Sequence, residues 1–171
     1  SPKYLFNTNL IGTINCLEEV RKNKAKIIFL STSRIYPIEK INNLRFHENE
    51  TRFSLIEEGN GFSSKGINER FSLEGARSLY GTTKLCSEHL IEEYIDSYGI
   101  QGIINRCGLI TGPWQMGKVD QGVIVLWVAK HVYGGKLSYI GYGGKGKQVR
   151  DFIHIEDLFD LIEIQINNFE R

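Results

Sequence analysis

The chain has 171 residues, of which 41% are hydrophobic and 24% charged, and its formal net charge is +1. This length and composition are typical of one globular domain with a sizeable core. A charge so close to zero provides no electrostatic footprint for nucleic acid or for an acidic membrane surface. The longest apolar run, GVIVLWVA at 122–129, is too short to span a bilayer, so we expect neither a nucleic-acid nor a membrane partner.

The cysteines and histidines give no sign of a disulfide framework or a metal site. Cys16, Cys86 and Cys107 are odd in number and widely spaced, and no C-x-x-C or Cys/His ligand spacing occurs. The histidines also show no ligand spacing, and we expect no metal. Reduced thiols are typical of cytoplasmic proteins, and the cytoplasm is the location that we expect.

Apolar periodicity predicts helices and strands that alternate along the chain. The predicted elements are helix 3–22, strand 26–33, a polar excursion over 36–77, helix 78–97, strand 99–110, loop 111–122, helix 123–135, two strands at 137–141 and 147–155, and helix 156–169. A glycine-rich turn at 141–146 separates the last two strands; it lacks the GK[ST] ending of a phosphate loop, so we predict a hairpin. This alternation indicates α/β architecture with a parallel sheet.

A tyrosine and a lysine near the start of helix 78–97 suggest chemistry. Tyr80 and Lys84 are four residues apart and therefore share a helix face. Thr32 lies at the end of strand 26–33, at the edge where open parallel sheets bind ligands. An ammonium group beside a phenol favours the phenolate, which can take a proton from a sugar hydroxyl while hydride leaves the carbon. Such a pair also occurs by chance, and the order strand, STS, loop, Y-x-x-x-K helix, strand is what makes the pattern specific.

The order of motifs resembles that of the extended short-chain dehydrogenase/reductases, the NAD-dependent nucleotide-sugar epimerases and dehydratases. The matching stretches are NTNLIGTINCLEEVRK (7–22), IIFLSTSRIY (27–36), YGTTKLCSE (80–88), RCGLITGP (106–113) and QVRDFIHIEDL (148–158). The resemblance implies part of a Rossmann-like, doubly wound parallel sheet over residues 1–110. It implies part of a small, interleaved substrate-binding region over 111–171.

The same resemblance implies the residues that contact the cofactor, NAD. Tyr80 matches the proton acceptor, and Lys84 matches its partner and ligand of the cofactor ribose. Asn9 matches a cofactor-contacting asparagine. Thr32 matches the catalytic hydroxyl.

Further matches imply how a nucleotide-sugar substrate is held. Thr32 and Ser33 are expected to contact the sugar, and Arg150 matches an arginine that binds the diphosphate, whose geometry suits a guanidinium. The alternative for Arg150 is a salt bridge within the predicted hairpin, to Asp151 or Glu156.

Two stretches, 66–94 and 112–131, resemble a narrower subfamily that interconverts the C2 epimers of a CDP-linked 3,6-dideoxyhexose. This implies a CDP-sugar substrate, transient oxidation at C2 by NAD and return of hydride to the other face. Dehydratase relatives carry an acid two residues after the Thr32 position, where this chain has Arg34, so dehydration is not expected. A 4-epimerase, a keto-sugar reductase and a non-catalytic binding module remain as alternatives.

No G-x-x-G-x-x-G motif occurs in the chain, which starts at Ser1 without methionine. The resemblance implies that this dinucleotide loop lies upstream of Ser1 and that the substrate domain continues past Arg171. We therefore expect a fragment that alone is inactive and binds NAD poorly. Relatives commonly pair through a helix bundle that includes the 78–97 helix, which predicts a homodimer for the full-length protein.

Overall fold

The computed structural model describes residues 1–117 and 122–169. The helices are α1 Pro2–Leu5, α2 Gly12–Asn23, α3 Ile38–Asn42, α4 Leu79–Tyr98, α5 Val123–Tyr133 and α6 Ile155–Asn167. The strands are β1 Lys26–Thr32, β2 Phe46–Glu48, β3 Phe53–Leu55, β4 Phe62–Ser63, β5 Gly66–Ile67, β6 Gln101–Cys107, β7 Leu109–Thr111 and β8 Phe152–His154. A π-helical turn, Phe6–Ile11, joins α1 to α2. The predicted α/β class with parallel strands is confirmed; residues 118–121 of the predicted loop and residues 170–171 lie outside the described range.

Strands β1 and β6 form the parallel pair on which the rest is built. They pair in register from Lys26 opposite Gln101 to Thr32 opposite Cys107. The chain crosses from one to the other through the excursion and α4, as parallel strands require. Thr32 and Cys107 therefore end side by side at the carboxyl edge of the pair.

Helix α4 has clear signals at both ends. The hydroxyl of Ser78 accepts a hydrogen bond from the Gly81 amide at 3.1 Å, which is N-capping, and Gly99 ends the helix in the left-handed conformation at φ 66°. Ile91 of α4 packs with Leu17 of α2 and with Ile100, all of them buried. Truncating one such core side chain to alanine costs about 2–5 kcal/mol, so this cluster anchors α2 and α4 against the sheet.

The 36–77 excursion has the short elements of its own that its length suggested. It contains α3 and the antiparallel pairs β2–β3 and β4–β5. Its aromatic side chains form a small core in which Tyr36 and Phe71 pack edge to face at 6.0 Å, with Ile35 and Leu85 beside them. Because Leu85 belongs to α4, the excursion is fixed to the helix that carries Tyr80 and Lys84.

The predicted hairpin around 141–146 is wrong. Within the described residues, 137–141 form no strand, and β8 covers only part of 147–155. Four glycines at 141–146 have φ between 66° and 79°, so the chain turns repeatedly there, with a 3₁₀ turn at Tyr142–Gly144. Strand β8 pairs instead with β7, in parallel. None of the helices within 1–117 and 122–169 is long and apolar enough to cross a membrane.

Candidate active site

Lys84 ties α4 to the strand that ends at Thr32. Its Nζ donates a 2.8 Å hydrogen bond to the Leu30 carbonyl and lies 4.4 Å from the ring centroid of Phe29. Partial burial lowers the pKa of the Lys84 ammonium, and electrostatic interactions with Cys107 and Glu88 oppose that effect. The lysine is therefore a fixed cation at the carboxyl edge of the β1–β6 pair.

Gly81 brings the neighbouring Tyr80 to the same edge. A methyl group at Gly81 would overlap the carbonyl oxygen of Arg34, so only glycine allows the first turn of α4 to lie against the Ser33–Ile35 turn. The Tyr80 side chain is half-buried, and no group in the described part of the chain hydrogen-bonds its hydroxyl. The phenol therefore has no hydrogen-bond partner among the described residues, and the Tyr80 backbone belongs to the turn of α4 that lies against Ser33–Ile35.

Thr32 is buried at the end of β1 and starts the following turn. Its Oγ1 accepts a 3.2 Å hydrogen bond from the backbone amide of Arg34. The hydroxyl keeps its own proton to donate elsewhere. Ser33 follows as an exposed residue, so both predicted hydroxyls lie where β1 ends.

The Asn9 side chain is hydrogen-bonded to α4 at Thr83, three residues after Tyr80. Its Nδ2 donates to Thr83 Oγ1 at 3.0 Å, and Thr83 Oγ1 in turn donates to the Tyr80 carbonyl at 2.8 Å. The Asn9 carbonyl accepts from Thr13 Oγ1 at 2.6 Å. Asn9 lies in the π-helical turn, a feature that often occurs at functional sites.

Among the described residues, Arg150 forms no hydrogen bond with Tyr80, Lys84, Thr32 or Asn9. Its Nη2 donates to Gln148 Oε1 at 2.6 Å, and within the described residues no ion pair links it to Asp151 or Glu156. The hairpin salt bridge considered for Arg150 therefore does not form. The Asp151 carbonyl accepts from the Leu109 amide at 2.9 Å, which attaches this segment beside the carboxyl end of β6.

A buried charged network next to Lys84 was not found by sequence reasoning. Glu88 accepts hydrogen bonds from the Ser31 hydroxyl and from Arg106, whose Nη2 lies 2.8 Å from Glu88 Oε2. Arg106 also reaches the Tyr36 hydroxyl at 3.5 Å. The only available signal was the glutamate that closes the Y-x-x-x-K-x-x-x-E pattern, because its partners come from distant parts of the chain.

Comparison with known proteins identifies the family. The model of the NAD dependent epimerase/dehydratase family matches residues 1–171. The chain belongs to this family. It is 28% identical over 170 residues to the CDP-paratose 2-epimerase of Salmonella typhi, covering 97% of this chain and 48% of that enzyme. It is 27% identical to a dTDP-glucose 4,6-dehydratase of Escherichia coli, covering 91% of this chain and 40% of the relative.

Solved structures agree with the fold. The dTDP-glucose 4,6-dehydratase of Bacillus anthracis, in complex with NAD, superposes with a TM-score of 0.71 at 26% identity, covering 96% of this chain and 44% of that one. The UDP-glucose 4-epimerase of Thermotoga maritima, with UDP-glucose, superposes with a TM-score of 0.66 at 22% identity, covering 94% and 44%. This chain spans about half the length of the curated relatives it matches. The likeness extends over the Tyr80 helix and the β1–β6 pair alike.

Proposed function

We propose that the protein is an NAD-dependent nucleotide-sugar epimerase that acts at C2 of a CDP-linked 3,6-dideoxyhexose. The observation that carries the proposal is that the first turns of α4, which carry Tyr80 and Lys84, are fixed to the end of β1 by the Lys84 bond to Leu30 and the close approach of Gly81 to Arg34. The similarity to a CDP-paratose 2-epimerase supports the choice of sugar.

The residues present fit the nicotinamide end of NAD. Lys84 offers a fixed ammonium and Tyr80 a hydroxyl, both at the carboxyl edge where such sheets bind dinucleotides. Asn9 packs against the same helix. NAD, when bound, accepts hydride from the sugar carbon and returns it. The G-x-x-G-x-x-G motif that binds the pyrophosphate does not occur in the chain, so the residues present match only the nicotinamide end of the cofactor.

Tyr80 performs the proton transfer in this proposal. Its phenolate takes the proton of the C2 hydroxyl as the C2–H bond breaks, which leaves a keto sugar and a neutral phenol. The Lys84 ammonium stabilises the phenolate before this step. Thr32 donates a hydrogen bond to the sugar oxygen and keeps it aligned. After the keto sugar has presented its other face, Tyr80 returns the proton to the oxygen.

Arg150 and Ser33 are proposed to hold the rest of the substrate. Arg150 is exposed, and among residues 1–117 and 122–169 its guanidinium bonds only to the neutral side chain of Gln148, so no described carboxylate neutralises the charge that would bind a diphosphate. Ser33 is an exposed hydroxyl beside Thr32. The residue after Ser33 is Arg34, at the position where the dehydratases carry an acid. The lack of an acid there supports epimerisation over the dehydration that several relatives are named for.

The test is proton NMR of CDP-paratose incubated with NAD and the protein expressed from the complete reading frame that contains these residues. We expect signals of the C2 epimer to grow. A Tyr80→Phe variant removes only the phenolic oxygen, and we expect it to lower the rate by about a hundredfold or more.

A Tyr98→Phe variant is the matched control, because Tyr98 lies exposed at the opposite end of the same helix. We expect the Tyr98→Phe variant to convert CDP-paratose at the wild-type rate. A folded, NAD-loaded wild type that leaves CDP-paratose unchanged would refute the substrate assignment. Full activity in Tyr80→Phe would refute the role of the tyrosine.

A further inference from the structure

Glu88 is a buried carboxylate whose hydrogen bonds are all to groups outside its own helix. It is 1% exposed, and its Oε1 accepts from the Ser31 hydroxyl. Its Oε2 accepts from Arg106 Nε at 3.1 Å and from Arg106 Nη2 at 2.8 Å. Removing one member of such a buried pair leaves the other charge uncompensated, so both partners are needed together.

The contacts of Lys84 and Glu88 follow one another along β1. The two residues are one turn apart on the same face of α4. Lys84 bonds the carbonyl of Leu30, and Glu88 bonds the hydroxyl of Ser31. Two consecutive attachments fix both the rotation of the helix and its position along the strand. Thr32 is the next residue of that strand.

The titratable groups around Lys84 lie on three elements. Glu88 lies on the same helix as Lys84, Cys107 ends β6, and Asp151, just before β8, interacts with Cys107. Burial lowers the pKa of Lys84, and electrostatic interactions with Cys107 and Glu88 raise it. Arg106 is the further cation in the group and is paired with Glu88.

We propose that Glu88 is the positioning residue of the proton-transfer site: through Ser31 and Arg106 it holds Lys84 against the end of β1, with a negative charge one helical turn from the ammonium group. Glu88 does not contact the reacting atoms in this account and acts through Lys84. The catalytic consequence rests on the proposed function, whereas the effect on Lys84 itself does not.

The experiment is an NMR titration of the Lys84 side chain, together with steady-state kinetics, in the protein from the complete reading frame. Glu88→Gln keeps the shape of the side chain and removes its charge. We expect the Lys84 pKa to fall, because a negative charge near the ammonium group is removed, and kcat to fall about tenfold or more, with KM changed less than about threefold. Glu92→Gln, on the exposed part of the same helix beside His89, should leave both unchanged.

A Ser31→Ala variant separates positioning from stability, because it removes one attachment and leaves the Glu88–Arg106 pair intact. We expect kcat to fall several-fold while the Lys84 pKa moves less than in Glu88→Gln. If Glu88→Gln fails to fold, a lowered kcat in Ser31→Ala supports the proposal and a wild-type kcat overturns it. A Lys84 pKa that is equal in wild type and Glu88→Gln also overturns it. If the wild-type protein is inactive, the proposed function is refuted. The NMR titration of Lys84 alone then decides whether Glu88 acts on Lys84.

Discussion

Gly81 determines how closely the first turn of α4 approaches the end of β1. We expect Gly81→Ala to destabilise the fold by about 1–3 kcal/mol, because the new methyl group meets the Arg34 carbonyl and the backbone has to shift. The same shift displaces the first turn of α4, which carries Tyr80, so activity should fall more than the loss of folded protein explains. Thermal unfolding and kcat, measured on one preparation, check both.

The control for this substitution is Gly12→Ala in α2. A methyl group there would lie 3.9 Å from the nearest atom, the Asn7 carbonyl oxygen, and the helical backbone suits alanine. We expect Gly12→Ala to be neutral or to stabilise by up to about 1 kcal/mol. Equal losses in the two variants would contradict the close approach of Gly81 to Arg34.

Residues whose role depends on local sequence were the ones that sequence could identify. The four-residue spacing of Tyr80 and Lys84 is visible in one short stretch of the sequence, whereas the capping Ser78 and the terminal Gly99 of α4 became evident only in the structure. From the sequence alone, Glu88 could not be distinguished from any other glutamate on a helix. Its importance comes from Ser31 and Arg106, which lie 57 residues before it and 18 residues after it.

At the scale of elements, the glycine-rich segment 139–148 is attached to the excursion. Lys145 and Lys147 both place Nζ 2.9 Å from Glu48 of β2, and the Phe53 amide donates to the Lys147 carbonyl at 3.0 Å. The predicted hairpin failed here for a physical reason. Strand pairing is non-local, and positive-φ glycines together with contacts to β2 and β3 prevent 137–141 from pairing with β8.

This attachment predicts a dependence on pH. The Lys145 and Lys147 hydrogen bonds lower the pKa of Glu48 from 4.5 to about 2. A depressed carboxylate pKa contributes stability that is complete above the unfolded value and is lost as pH falls through the folded one. The segment should therefore loosen between about pH 4.5 and 2. Trp127 reports it, because its ring packs 5.4 Å from Tyr139 of the same segment.

Tryptophan fluorescence in a Trp114→Phe background isolates that signal, since Trp114 is 98% exposed and makes no ring contact in the described residues. Glu48→Gln should remove the transition between about pH 4.5 and 2. Glu50→Gln is the matched control, because Glu50 lies two residues after Glu48 and forms no ion pair among the described residues. This variant should retain the transition. An unchanged transition in Glu48→Gln would contradict the assignment.

At the scale of the whole molecule, the residues proposed for proton transfer lie within a chain that spans about half of its relatives. The fold class followed from alternating periodicity, because parallel strands with crossover helices have few alternatives. The CDP-linked sugar was predicted only through the resemblance of 66–94 and 112–131 to a narrower subfamily, because no single short motif in the chain specifies a sugar or a base.

The most direct measurement of the central claim is epimerisation in D₂O, followed by proton NMR at C2 of the product. Hydride that leaves C2 and returns to it never exchanges with solvent, so the account predicts protium at C2 in every turnover. Deuterium at C2 would contradict it, since that result requires abstraction of a C2 proton by a base, and Tyr80 would then not serve hydride transfer.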